Sequence, residues 1–256
     1  MARGTRQTDN SAGSVARFGF HGGLEELLVR RYRSDLTSYR FRDNPGIKDA
    51  IEAMGIPHTE VDVILANGIS VNFSYPLHDN DLIDVYPVFS DIPITNPLKL
   101  TPCPPDHVSF VLDVHLGKLA RRMRLLGFDV CYRNDLDDAE IMKIADRDGR
   151  IILTRDLGIL KHRKVMHGYL VRSDQIDCQL REVLKRYELY GQIHLWTRCM
   201  VCNGLIEKVA KAEVLDRLEP KTRLYYEDFH RCSSCGQLYW QGSHYLKISA
   251  WLNEFL

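Results

Sequence analysis

From Val15 onward, apolar and polar positions alternate in short runs. Ala16 to Phe20 and Ser38 to Phe41 carry the two-residue period of half-buried strands, separated by a charged stretch that holds Arg30, Arg31 and Arg33. Between Pro45 and Met54 the period lengthens: Ile47, Ala50, Ile51 and Met54 share one helical face, and Gly55 supplies a stop. Strand-like runs return at Val61 to Leu65 and Ile69 to Phe73, joined by Asn67-Gly68, a dipeptide of tight hairpin turns, and Asp81 to Val88 reads as a further strand. These elements predict an α+β module with one helix across a mixed sheet. In the next segment Pro93, Pro97, Pro102, Pro104 and Pro105 remove backbone donors and hold the chain extended, the pattern of a semi-rigid linker.

A different rhythm follows. Strands are predicted at Val108 to Leu112, Phe128 to Tyr132, Ile151 to Leu153 and Tyr169 to Val171, alternating with helices at Leu116 to Leu126, Asp138 to Arg147 and Asp174 to Tyr187. Such alternation needs crossover connections, so the expectation is an α/β domain whose mostly parallel sheet is covered on both faces, with ligands bound outside the carboxyl ends of the strands. The helix Leu116 to Leu126 turns Leu116, Leu119, Ala120, Met123 and Leu126 inward. Lys118, Arg121, Arg122 and Arg124 are left for solvent or a ligand, and the segment contains no acidic residue to compensate them.

Three of those strands run into an aspartate: Asp113 after VSFVL, Asp156 after IILTR and Asp174 after YLVRS. Asp138 opens the helix before the third strand, with Asp135, Asp137 and Glu140 competing for its role. Asp138 and Asp174 also suit helix N-caps, whereas Asp113 and Asp156 are harder to explain in that way. Carboxylates gathered at one crevice need a cation, and Mg²⁺ or Mn²⁺ prefers such ligands. A pair of these ions roughly 4 Å apart acidifies water and steadies the leaving oxygen of a phosphodiester.

Lysine plus arginine and aspartate plus glutamate each number 34, so the net charge favours no partner and affinity for nucleic acid has to come from local clusters. Residues 1–14 are polar and small and read as a mobile tail. No run is long and apolar enough for a signal peptide or a membrane span, which leads to the expectation of a cytoplasmic protein. Of seven cysteines, Cys199, Cys202, Cys232 and Cys235 form two CxxC pairs separated by 29 residues, a spacing that closes a tetrahedral, structural Zn²⁺ site. A redox dithiol is the alternative. Cys103, Cys131 and Cys178 are expected to be small buried hydrophobes. Around the pairs, Arg198, Lys208, Lys211, Lys221, Arg223 and Arg231 interleave with Tyr225, Tyr226, Phe229, Tyr239 and Trp240, a mixture suited to phosphates and unpaired bases, although aromatics also pack small cores. His230 and His244 are spare candidates.

Two resemblances sharpen this reading. ANGISV and LHDNDLIDVYPV resemble the late hairpin and last strand of β-grasp, ubiquitin-like sulfur carriers. Carriers of this type end in Gly-Gly, whereas here the strand runs on into FSDIPITNPLKL, which implies a docking or substrate-gripping role toward a protein partner. FVLDVHLGKLARRMRLLGFDVCY, LDDAEIMKIADRDGRIILTRDLGIL and YLVRSD, followed by the paired cysteines, resemble the PIN-like RNase family named after the C-terminal domain of the Mut-seven exonuclease. That resemblance implies a three-layer PIN-like fold and a metal-dependent ribonuclease. The family's acidic positions fall on Asp113, Asp138 and Asp156, with Asp174 as a fourth. Its basic positions fall on Lys118, Arg121 and Arg155, and YWQGSHY, with His244, resembles the end of its motif. The expected organisation is a tail (1–14), a β-grasp domain (15–92), a linker (93–106), a PIN-like nuclease domain (107–192), a zinc ribbon (193–248) and a C-terminal tail (249–256). A non-catalytic RNA-binding or ribosome-associated adaptor is the competing class.

Overall fold

A computed structural model describes residues 13–34, 36–88, 92–103, 105 and 107–255. Most of the predicted N-terminal tail therefore lies outside the described residues, and Ser14 already belongs to the first strand. The chain divides after Cys103 into two compact units.

In the first unit, β1 (Ser14–Phe20), β2 (Thr37–Phe41), α1 (Ile47–Met54), β3 (Val63–Ala66), β4 (Ile69–Val71) and β5 (Leu82–Tyr86) form one sheet in the order β2-β1-β5-β3-β4. β1 and β5 are parallel and the other neighbours antiparallel. This is the β-grasp arrangement. α1 buries Ile47, Ala50, Ile51 and Met54, the stripe read from the sequence, against Phe18, Ile64 and Val85 of the sheet. Asn67 and Gly68 have φ of 51° and 81°, so the β3–β4 turn uses two left-handed residues, the twist that matches paired strands.

The stretch 93–106 does not stand clear as a linker over its described part. Ile92 and Ile94 pack on Val63, Leu65 and Tyr86, a cluster separate from the helix-covered core. The Leu98 amide donates to Ser70 Oγ at 2.8 Å and the Leu100 amide to the Asp62 carbonyl at 2.6 Å. Proline keeps the segment extended, but the side chains of Ile94 and Leu100 and the amides of Leu98, Leu100 and Thr101 have partners in the first unit, so it folds back there.

In the second unit, β6 (Ser109–Leu112), α2 (Gly117–Leu125), β7 (Asp129–Cys131), α3 (Asp138–Asp148), β8 (Ile151–Thr154), α4 (Leu157–Leu160), β9 (Gly168–Leu170) and α5 (Ile176–Arg186) alternate as expected. The sheet is wholly parallel, in the order β7-β6-β8-β9. Phe110, Leu112, Ile151 and Leu153 face α2 and α5, while α3 packs on β6 and β8 from the other side. The strand order reverses beside β6, so the carboxyl ends of β6 and β8 form the crevice where such sheets bind ligands.

A three-stranded antiparallel sheet follows, β10 (Ile206–Val209), β11 (Phe229–Cys232) and β12 (Leu238–Trp240), with α6 (Pro220–Tyr225) between its first two strands. Its small core is Val214, Leu218, Phe229 and Leu238. The expected tail at 249–256 is instead the second half of α7 (Ser243–Phe255), whose Leu252 and Phe255 are buried in the core of the parallel-sheet domain. Three cysteine expectations also change. Cys103 and Cys178 are exposed and Cys131 is half-buried. In α5 the inward face is taken by Gln179, Leu180, Val183 and Leu184, and in β7 Val130 points inward, which turns its neighbour Cys131 the other way. Among the described residues no helix is long and apolar enough to cross a membrane.

Candidate functional site

β6 and β8 lie side by side in register, and the amide of Asp113 continues the ladder by donating to the Leu153 carbonyl at 3.1 Å. Asp113 is 5% exposed. Its Oδ1 accepts from the His115 amide at 2.8 Å, and its Oδ2 accepts from Thr154 Oγ1 at 2.5 Å and from the Arg155 amide at 2.7 Å. A carboxylate offers about four acceptor directions, so these three bonds orient the group and leave room for one more ligand. The Thr154 hydroxyl also accepts from the Asp156 amide at 2.8 Å, which ties the two strand-end aspartates through one buried oxygen.

Both aspartates cap helical turns, contrary to expectation. Asp113 caps the short turn Val114–Leu116, and Asp156 caps α4 through the Gly158 amide. Asp138 and Asp174, expected at N-cap positions, are not the caps. Asp137 caps α3 in a reciprocal capping box with Glu140, which leaves Asp138 as the first helical residue, exposed and without a hydrogen bond or ion pair among the described residues. α5 starts at Ile176 with Gln175 before it. Asp174 is free of capping and pairs instead with Arg155 at 2.6 Å, linking the ends of β8 and β9. The turn bearing Asp174 is positioned by α5: Glu182 accepts from the amides of Arg172 and Ser173, and Gln179 donates to the Ser173 carbonyl. Thr154, Glu182 and Gln179 carry no signal in a single sequence, because what they bind, the Asp113 carboxylate and the backbone of 172–173, is brought to them only by the fold.

Among the described residues, no group of three or more acidic or histidine ligands lies close enough to hold an ion by itself. What the site offers is the remaining acceptor direction of Asp113, an unbonded Oδ2 on Asp156 and the free carboxylate of Asp138. These are hard oxygen donors, of a kind suited to Mg²⁺ or Mn²⁺ with water completing the shell.

The basic helix divides. Lys118 and Arg121 are exposed, one turn apart, and have no partner among the described residues. Arg122 stacks over the Trp251 ring at 3.8 Å. Arg124, expected to face outward, is 3% exposed and donates to the carbonyls of Val130, Met200 and Val201. Burial lowers its pKa from the ordinary arginine value. Gly117 opens α2 where a Cβ would sit 2.5 Å from the Tyr132 hydroxyl, which itself donates to the Val114 carbonyl. The absence of a side chain there lets β7 approach the start of α2.

The four paired cysteines do converge. Their sulfurs all lie within 4.8 Å of one another, with Cys199–Cys235 at 3.6 Å and Cys202–Cys232 at 3.4 Å. A tetrahedron of ~2.3 Å Zn–S bonds has S–S edges of about 3.8 Å, so the set fits such an ion. Burial pushes the Cys202 thiol up to about 12. Burial also opposes the Cys232 thiolate, but the amides of Cys235 and Ser234 outweigh it and bring that thiol down to about 7. Burial, followed by the adjacent Cys199 sulfur, raises the Tyr239 phenol, whose hydroxyl lies 3.0 Å from Cys199 Sγ.

This knuckle is docked on the parallel sheet. Asp129 at the start of β7 pairs with Arg150 at 2.6 Å and Arg198 at 3.2 Å and accepts from Asn203 at 2.9 Å, while Asn203 Oδ1 accepts from the Val130 amide. Burial opposes the charged form of Asp129, yet these partners hold its carboxyl below the usual value. Most cations near the cysteines are thus committed. Lys208 pairs with Asp228, Lys211 with Glu227 and Arg231 with Glu213, and Arg223 donates to the Leu215 carbonyl.

The second unit thus joins a parallel α/β domain with acids at its switch point to a four-cysteine knuckle, and a β-grasp unit precedes it. Residues 108–252 match the Mut7-C RNAse domain and residues 13–93 the Mut7-C ubiquitin domain, and since the first match spans more than half of the chain, the protein belongs to the Mut7-C RNAse domain family. No curated protein matches the chain. Among solved structures, a putative molybdopterin converting factor subunit 1 from Pyrococcus furiosus is similar at 20% identity, over 29% of this chain and 97% of its own, with a TM-score of 0.23.

Proposed function

We propose that the protein is a cytoplasmic, divalent-metal-dependent ribonuclease that hydrolyses RNA phosphodiester bonds, with Zn²⁺ held by Cys199, Cys202, Cys232 and Cys235 in a structural role. The observation that carries this reading is the linkage of Asp113 and Asp156 through Thr154 at the carboxyl ends of two adjacent parallel strands, in a chain of an RNAse domain family. Mg²⁺ or Mn²⁺, when bound, supplies charge that acidifies water and stabilises a leaving oxygen. Asp113, Asp156 and Asp138 are the residues to hold it. Asp174 keeps the Arg155 guanidinium at the site edge, and Lys118 and Arg121 are free to contact the phosphates flanking the scissile bond. The β-grasp unit is read as a docking module for a protein partner.

One observation favours a non-catalytic RNA-binding or ribosome-associated adaptor: Asp113 already has three hydrogen-bond donors and Asp174 an ion-pair partner. Turnover separates the two. Asp113→Asn and Asp156→Asn, each able to keep its cap through the amide oxygen, are expected to lower Mn²⁺-stimulated RNA cleavage at least about a hundredfold, the scale of losing one preorganised electrostatic group. Wild-type rates from either folded variant, or no metal-stimulated cleavage by the wild-type protein, would reject the ribonuclease.

A further inference from the structure

Beside the cysteine knuckle, a cavity of about 750 Å³ lies between α6, β12 and the start of α7, walled by Trp196, Tyr225, Tyr226, Tyr239, Trp240 and Tyr245. Small-ligand sites commonly enclose ~300–1,000 Å³, so the space suits a ligand of nucleotide size. Packing does not account for all of these rings. The ribbon's core is Phe229 with Val214, Leu218 and Leu238, and Tyr239 supports Cys199, whereas Tyr225 is 72% and Trp240 38% exposed.

Trp196 has φ of 61°, a left-handed conformation that is strained for a bulky side chain. It is held there by its amide, which donates to the Leu125 carbonyl at 3.1 Å, and by a stacked contact with Tyr245 at 5.0 Å. An arrangement that strains the backbone to stand an indole in a cavity wall is expected where the ring meets a ligand. The polar lining gives the ligand's charge. Among the described residues no carboxylate lines the cavity, and Lys221, His230 and His244 do; Lys221 has no partner among them, unlike the neighbouring paired lysines. Flat aromatic faces with a free cation match a base and its phosphate.

We propose that this cavity binds an unpaired base of single-stranded RNA, with Tyr225 and Trp240 as stacking faces and Lys221 at the adjoining phosphate. The inference rests on the ribonuclease reading for its choice of RNA as ligand. The Trp196 amide is tied to Leu125 at the carboxyl end of α2, and the turn capped by Asp113 leads into the amino end of the same helix, so Trp196 and that turn stand at opposite ends of a nine-residue helix, roughly 13 Å at 1.5 Å per residue. A strand held at both would be gripped away from the bond that is cut.

Binding is measured on the full chain with Asp113→Asn, to keep the strand intact, at fixed salt. The probes are a short single-stranded oligoadenylate and a strand of the same length without bases. Tyr225→Ala and Trp240→Ala are each expected to weaken oligoadenylate binding about five- to a hundredfold, the range for one lost stacking partner, and to leave the baseless strand unaffected. Tyr225→Phe should restore binding and Tyr225→Leu should not. Should Trp240→Ala lose zinc or fold, the exposed Tyr225 series decides alone. Equal affinity for both strands, or Leu restoring what Phe restores, would overturn the proposal and assign the cavity to an apolar side chain of a protein. Cleavage by the protein with Asp113 intact is scored separately. Cleavage without base-dependent binding rejects the cavity proposal alone, and base-dependent binding without cleavage rejects the nuclease alone.

Discussion

Thr154 is fully buried at the end of β8, yet its hydroxyl donates to Asp113 and accepts from the Asp156 amide. Thr154→Val keeps the shape and removes both bonds, leaving a buried carboxylate with one donor fewer and an amide without its acceptor, at a cost of about 1–3 kcal/mol. We expect cleavage to fall roughly 10- to 100-fold, as for other partners that orient metal ligands, with the Mn²⁺ concentration for half-maximal rate raised and Thr154→Ser near wild type. A rate loss without a change in metal dependence would make Thr154 merely structural. Single residues are where the sequence was least informative. Asp113 and Asp156 stand out as charges ending apolar strands, whereas Thr154 looks like one more β-branched strand residue. Arg124 misled for a related reason: on a helical wheel it is another cation of an outward face, but its long stem carries the guanidinium to a carbonyl of β7 and to those of the cysteine knuckle, the latter remote in sequence.

Elements were more legible than residues, because periodicity is a local property. The strands β6 to β9 and the helices α2, α3 and α5 fall where the apolar periods place them, shifted at their ends where caps decide the boundary, as Asp137 does for α3. α7 was missed although Ile248, Leu252 and Phe255 recur at helical spacing, since its apolar face serves a core formed more than a hundred residues earlier, at Phe110 and Leu112. Its contacts are specific. Trp251 donates to Asp177 at 3.1 Å and lies under Arg122, and Arg181 sits over Phe255 at 4.6 Å. Burying Leu252 and Phe255 contributes roughly 3–6 kcal/mol, an upper figure because a denatured chain hides part of that area. Deleting residues 243–256 is therefore expected to lower the melting temperature of the second unit by roughly ten degrees, at about 2–4 °C per kcal/mol, while the first unit melts as before. An unchanged second transition would mean that the helix is not part of that core.

At the scale of the molecule, the boundary between nuclease domain and zinc ribbon that the sequence suggests near residue 192 is crossed by half-buried polar contacts. Arg124 donates to the carbonyls of Met200 and Val201 beside Cys199, and Asp129 joins Arg150 of the sheet to Arg198 and Asn203 of the knuckle. These partners are positioned only if the four sulfurs hold the knuckle closed, which a bound cation does by drawing the thiols together as thiolates. Removing zinc should then loosen more than the ribbon. With a chelator strong enough to take the ion, amide exchange is expected to accelerate in α2 and β7 as well as in β10 and β11, and the second unit to melt roughly ten degrees or more lower. The β-grasp unit, with its own core, should keep its protection. Asp129→Asn, which weakens the joint and spares the sulfurs, should leave zinc content at one ion per chain but make β7 exchange faster before any chelator is added. Loss of protection confined to β10 and β11 in both experiments would show that the ribbon is an independent appendage, and that Arg124 and Asp129 fasten it without carrying its stability into the nuclease core.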